Sequence, residues 1–144
     1  MSLDGAYDDG NIFARVIRGE VPSAKILEDQ AVLAIMDAFP QARGHALVIH
    51  KTSRARNLLD AEPQTLTELI TAVQKVTRAI RSALNPDGIA VSQFNGAPAG
   101  QTVFHLHFHI LPRWHGAAPG RHGGGQSDPA ELAALAMQIA ACLE

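Results

Sequence analysis

The chain has 144 residues, 47% of them hydrophobic, and a formal charge of −2, which suits one domain with a sizeable core. It lacks the basic footprint of a general nucleic-acid binder, and no apolar run reaches the length of a membrane span. The lone cysteine, Cys142, excludes an internal disulfide and a cysteine-built zinc cluster, and its apolar surroundings mark it as a buried small hydrophobe. With no basic-then-apolar leader at the start, the expected compartment is the cytoplasm.

Met1 to Gly10 is polar and punctuated by glycine, and is expected to be disordered, with a single domain over residues 11–144. Asn11 to Arg18 reads as a short helix capped by Asn11, with Ile12, Phe13, Val16 and Ile17 as its apolar side. Two short strands follow around Lys25–Glu28 and Val32–Asp37, joined by a turn at Asp29-Gln30. A third, interior strand spans His45–His50, and Asn57-Leu58-Leu59 makes a helical turn. The longest helix runs from Pro63 to Leu84, where Leu66, Leu69, Ile70, Val73, Val76 and Ile80 recur at helical steps. Ile89–Asn95 is a fourth strand, Gly96–Gln101 a loop, and Thr102–Leu111 a fifth strand. Residues 116–127 form a glycine-rich loop. A last helix over residues 128–143 starts with Asp128 as its cap, Pro129 in its first turn and Glu131 in a capping box. Strands joined by short turns, with one long helix between strands, define an α+β fold with a mostly antiparallel sheet.

Chemistry concentrates in the fifth strand. In His105-Leu106-His107-Phe108-His109-Ile110, alternation puts three imidazoles on one face and three apolar side chains on the other, with neighbouring rings ~7 Å apart. The apolar face can anchor in a core while the histidines open onto something polar, because unpaired buried polar groups are expensive. Between Gly88 and Ser127 there is no Asp or Glu, yet five of the seven histidines, Arg113 and Arg121 lie there. Such a segment suits an anionic ligand, most simply a phosphate. The loop before the strand, Asn95 to Thr102, is bracketed by glycines that let backbone N–H groups approach a phosphate, and Gln101 and Thr102 add side-chain donors.

The run Asn-Gly-x3-Gly-Gln-Thr-Val-x-His-φ-His-φ-His-φ-φ closely resembles the signature of the histidine triad (HIT) superfamily of nucleotide hydrolases and transferases. The opening Asn-Ile-Phe-x-Arg-Val-Ile-x-Gly-Glu-Val-Pro resembles that of the Hint, or nucleoside phosphoramidase, branch. Ala34-Ile-Met-Asp37, Pro40-Gln41 and Gly44-His45-Ala-Leu-Val-Ile49 fall in the family's order, so the resemblance runs from Asn11 to Trp114. It implies a HIT-like fold with about five strands and a covalent mechanism in which His107 attacks the α-phosphorus of a purine nucleotide. A neutral imidazole is then needed, held in one tautomer by a main-chain carbonyl of the same strand. The resemblance further implies that His105 and His109 orient the site and hydrogen-bond the phosphate, that Thr102 assists the leaving group, and that His45 is a fourth site histidine. Asp37 would bind the ribose and Ile12, Phe13, Val16 and Ile35 the base; Asn95, Gly100 and Gln101 of the preceding loop count among the substrate-binding residues. No cofactor and no metal are implied, and a homodimer pairing the long helix and the fourth strand is.

Two positions depart from the family pattern: His50 stands in place of a proline and Ser53 in place of a histidine. The tail Leu111-Pro112-Arg113-Trp114 is closer to the dinucleoside polyphosphate hydrolases of the Fhit branch. Arg113 could reach a distal phosphate, whereas His115 and His122 read as solvent-facing. Three alternatives to a phosphoramidase therefore stand: a dinucleoside polyphosphate hydrolase, a zinc protein ligated by histidines, and a nucleotide sensor without turnover.

Overall fold

The computed structural model describes residues 3–117 and 125–144; His122, Arg121 and most of the glycine-rich loop lie outside them. The elements are α1 (Ile12–Ile17), β1 (Lys25–Glu28), β2 (Val32–Met36), β3 (Ala46–His50), α2 (Pro63–Leu84), β4 (Gly88–Ser92), β5 (His107–Arg113) and α3 (Pro129–Ala140). The five strands form one antiparallel sheet in the order β1-β2-β3-β5-β4, the α+β architecture that the sequence predicts.

Local chemistry sets most boundaries. The Asn11 side chain accepts from the Ala14 N–H and caps α1. Asp29 Oδ1 accepts from the N–H groups of Ala31 and Val32 and closes the β1–β2 turn. Asn57 caps the short 3-10 turn Leu58–Asp60, and Asp128 caps α3 through the Ala130 N–H. Asn85, left-handed at φ 50°, stops α2. At Gly44 φ is +89°, and a Cβ there would lie 2.5 Å from Leu84 Cδ1; glycine alone lets β3 enter the sheet so close to the end of α2.

The sheet has two covered faces. On one, Val32, Ala34, Met36, Ala46, Val48, Leu106 and Ile110 pack against α2 and α3. Leu69, Val76 and Ile80 of α2 are fully buried there, each worth about 1.5–3 kcal/mol. On the other, Leu33, Ile35, Leu47 and Ile49 pack against Phe13 and Val16 of α1. That second face is short of helix, and its uncovered part holds the histidines.

Four expectations change. Residue 70 is not part of the buried stripe: Ile70 is 52% exposed, since the stripe turns away from it toward the sheet. β4 ends at Ser92 because Asn95 Oδ1 accepts from Gln93 Nε2 and the Leu58 N–H, which folds the chain away from the sheet. β5 starts at His107, since the Leu106 N–H bonds the Ala55 carbonyl outside the ladder, and it continues through Pro112 to Arg113. Pro112 is tolerated because β3 pairs with β5 only as far as Ile110, so no β3 partner waits for its missing N–H. Finally, residues 3–10 are docked instead of frayed. The Leu3 carbonyl accepts from Arg56 Nη1 and Asn57 Nδ2, the Asp9 carboxylate pairs with Arg54, and Tyr7 is half-buried. Cys142 is half-buried against the main core.

Candidate active site

A cavity of about 540 Å³ opens on the α1 face of the sheet, within the size range of small-molecule sites. Ile12, Phe13, Val16 and Ile35 line it, as do Asp37, Thr102, His107 and His109. Eight of the sequence-predicted residues thus converge on one space. Asp37 is the one acid among the lining residues, so the apolar slot leads to a histidine-lined end with little negative charge.

The ring of His107 is fixed from behind. Its Nδ1 lies 2.6 Å from the His105 carbonyl oxygen. A carbonyl only accepts, so Nδ1 carries the proton and Nε2 carries the lone pair. Phe13 meets the ring edge-on at 4.8 Å and restricts its rotation. The ladder pairs His107 with Ile49 of β3, which seats the ring on a central strand.

A second chain of bonds fixes His109. The Gln41 N–H donates to His45 Nδ1 at 3.1 Å, so the His45 proton is on Nε2. That nitrogen lies 3.0 Å from His109 Nδ1 and 3.4 Å from Asp37 Oδ2. His109 Nδ1 therefore accepts, and His109 Nε2 bears a proton in the neutral ring. The two cavity imidazoles, 5.0 Å apart by centroid, end in opposite tautomers, one with its proton on Nδ1 and the other with its proton on Nε2. His45 itself is fully buried and does not line the cavity; it acts through His109.

Asp37, His45 and His109 offer ligand atoms within 4.8 Å of one another, and Asp37 supplies the carboxylate that the acid-free segment lacks. Their spacing is that of a hydrogen-bond chain. A metal about 2.1 Å from both nitrogens would sit about 45° off the line joining them, whereas a shared proton lies near it.

His105 corrects an expectation. It is 2% exposed, its Nε2 donates to the His50 carbonyl at 2.9 Å and its Nδ1 accepts from the Tyr7 hydroxyl at 2.6 Å. Both ring nitrogens are committed, which leaves neither for a phosphate, and the His105 carbonyl holds the His107 ring. Gln101 is corrected likewise: its Oε1 accepts from the Gly96 N–H, and its Nε2 donates to the carbonyls of Arg56 and Val103. It shapes the loop. Asn95 serves the same loop through Oδ1, and the Gly100 N–H bonds the Ala97 carbonyl; neither lines the cavity. Gly100, at φ +111°, is needed for the turn. His50 ends β3, and its ring serves the turn that follows: Nδ1 accepts from the Ser53 N–H and Nε2 faces Glu68. Arg113 lies at the far end of β5 and His115 is exposed.

The sequence reading missed one wall. Ser127, Pro129, Leu132 and Ala133 close the cavity opposite α1, and the Ser127 N–H is tied to the Ala38 carbonyl at 2.9 Å. Capping signals locate α3, but nothing in them says which surface the helix covers.

Burial holds the His105 imidazole well below its ordinary 6.5, at about 4, against the opposing pull of the His50 carbonyl. Below pH ~6.5 the unfolded ring takes a proton that the folded ring refuses until about 4. The unfolded state then binds more protons, so stability falls as pH drops through that window and levels off beneath it. The loss amounts to about 3 kcal/mol. Urea unfolding at pH 7.5 and 4.5 should show it, with a smaller difference in His105→Gln; an equal difference would assign the effect to other groups.

The sheet thus presents an apolar slot that ends at two imidazoles held in opposite tautomers. The HIT domain family model matches residues 18–116, and the chain belongs to the HIT family. It is 43% identical over 103 residues to Protein hit of Bacillus subtilis, covering 72% of this chain and 70% of that one. It is 37% identical over 102 residues to adenosine 5'-monophosphoramidase hnt1 of Schizosaccharomyces pombe, covering 71% and 73%. The crystal structure of a Hit-like protein from Bartonella henselae superposes with a TM-score of 0.92 at 48% identity, covering 96% of this chain and all of that one.

Proposed function

We propose that the protein is a nucleotidyl hydrolase or transferase cleaving purine nucleoside phosphoramidates, or related nucleotides, at the α-phosphate through a covalent nucleotidyl-histidine. The observation that carries this reading is the lock of His107 Nδ1 on the His105 carbonyl, which directs the Nε2 lone pair to the substrate. His107 Nε2 attacks the α-phosphorus and the bond to the leaving amine breaks, the amine taking the bonding pair and a proton. His109 Nε2–H, or the Thr102 hydroxyl, supplies that proton. Water then attacks the same phosphorus, its proton returns to the group that supplied one to the amine, and the phosphorus–nitrogen bond returns its pair to Nε2. The base occupies the slot of Ile12, Phe13, Val16 and Ile35, and the ribose hydroxyls donate to Asp37. The phosphoramidase name of the fission-yeast relative supports an amine leaving group. The Fhit-like alternative has only the Arg113 tail in its favour, and Arg113 does not line the cavity.

The test compares an adenosine phosphoramidate with a dinucleoside polyphosphate, each labelled in the nucleotide, under single-turnover conditions and acid-free quenching. Faster release from the phosphoramidate, with transient label on protein, is expected. Binding without any turnover would mark a nucleotide sensor.

We further propose a homodimer built on β4, whose outer edge is open in the chain and whose Val91 is 45% exposed. A second copy pairing there would remove the open edge and use the same patch twice, as the resemblance implies. The helical stripe does not add to this argument, because α3 and the sheet cover it within one chain: Val73 and Ile80 are buried in the core. A charge at either would unfold the chain instead of dissociating it. Val91→Lys is the informative variant. Sedimentation equilibrium at micromolar concentration should give twice the chain mass for the wild type and the chain mass for a folded variant; a monomeric wild type would refute the dimer.

A further inference from the structure

We infer that Tyr7 is a positioning residue for the chemistry at His107, acting through His105 from a strap that precedes the family domain. The activity readout below rests on the proposed function, whereas the spectroscopic one stands without it.

Tyr7 lies outside residues 18–116 that the family model matches, on a segment whose composition suggests no fixed structure. Yet its hydroxyl lies 2.6 Å from His105 Nδ1. The other nitrogen of that ring faces the His50 carbonyl at 2.9 Å. Since a carbonyl cannot donate, His105 Nε2 must hold the ring proton and Nδ1 must be bare. The phenol therefore donates. A bare nitrogen buried at that depth needs such a donor, because a buried acceptor without one is costly.

The consequence runs through one residue. The ring of His105 is pinned at both nitrogens, and its backbone carbonyl is the acceptor that sets the tautomer of His107 at 2.6 Å. Phe13 touches both rings edge-on, so a shift of one is transmitted to the other. Tyr7 is held in turn. The Arg54 guanidinium lies 4.8 Å over its ring, Arg54 pairs with Asp9 of the same strap, and the Asp9 carbonyl accepts from Arg18 Nη1 at 2.8 Å. When protonated, His50 and His107 disfavour a proton on His105, whereas Arg54 faces the ring of Tyr7 and is neutralised by Asp9. The Tyr7 hydroxyl completes that protection by occupying the one nitrogen that could accept it.

Without the hydroxyl, His105 Nδ1 opens to water and to protonation, its ring gains freedom, and the carbonyl behind His107 loses definition. Binding should survive, since neither Tyr7 nor His105 lines the cavity.

The test uses the full chain and Tyr7→Phe. Long-range nitrogen–proton NMR of the wild type should show His105 protonated on Nε2, accepting on Nδ1, and not titrating above pH ~5. In the variant, His105 should titrate at least about one pH unit higher, and the His107 Nδ1–H signal should shift or broaden. Turnover of an adenosine phosphoramidate should fall about tenfold in kcat with KM changed less than about twofold. A wild-type His105 protonated on Nδ1 overturns the inference whether or not the variant folds. So does a variant with unchanged histidine signals, one with kcat within twofold of wild type, or one whose loss lies in KM. If the wild type turns over no nucleotide, the proposed function fails, and the His105 and His107 signals still decide the role of Tyr7.

Discussion

Replacing His107 with alanine is expected to abolish turnover, by at least about 10⁴-fold, while nucleoside monophosphate binding stays within about tenfold of wild type, a difference of ~1.4 kcal/mol. The two quantities separate because they rest on different parts of the site. Binding is spread over the apolar slot and Asp37, whereas attack requires the one lone pair that the His105 carbonyl aims. No neighbour can substitute. His109 presents the proton and not the lone pair, since its Nδ1 is engaged by His45, and both nitrogens of His105 are committed. The measurement pairs single-turnover kinetics with trapping of acid-labile nucleotide on the protein. Label on the wild type and none on His107→Ala is the expected result. Substantial turnover in the variant would end the covalent mechanism.

Replacing His109 with alanine is expected to cost about 10²–10⁴-fold in turnover, the range of general-acid assistance. The cost should depend on the leaving group. A basic amine cannot depart without a proton, so its release should suffer the full loss, whereas an acidic phenol leaves as the anion and should suffer little. A uniform loss across leaving groups would move His109 from proton donor to phosphate ligand. His45→Ala gives the graded case: it removes the bond that sets the His109 tautomer but leaves the donor ring in place. Its loss should follow the same leaving-group trend at a smaller amplitude. Comparing kcat for amine and phenol esters of one nucleotide, in the three proteins, reads both effects.

Local pattern made much of this legible. Periodicity located α2 from Pro63 to Leu84, and side-chain caps at Asn11 and Asp128 located the helix starts, because both signals act over a few residues. Periodicity marked Ile12, Phe13 and Val16 as one apolar side, and the family resemblance grouped them with Ile35 as a slot; all four line the cavity. The spacing of the histidines put His107 and His109 on one strand face for the same reason.

What the pattern could not assign was the partner of each polar group. His105, His107 and His109 are equivalent by alternation, yet one is sealed beneath Tyr7, one holds its proton on Nδ1 and one on Nε2. Gln101 reads as a phosphate donor, but its amide is consumed by three backbone groups, two of them within its own loop. The opening segment reads as frayed until Arg54, Arg56 and Asn57, some fifty residues away in sequence, are seen to hold it. α3 reads as an amphipathic helix, and only its packing makes it a wall of the cavity. Sequence by itself determined the backbone elements, the apolar faces and the residue types available for chemistry, since those follow from short-range sterics and periodic burial. Tertiary structure decided the tautomers of His105 and His109, because an imidazole's proton goes where its buried partners allow, and Tyr7, His50 and His45 are brought there by distant chain.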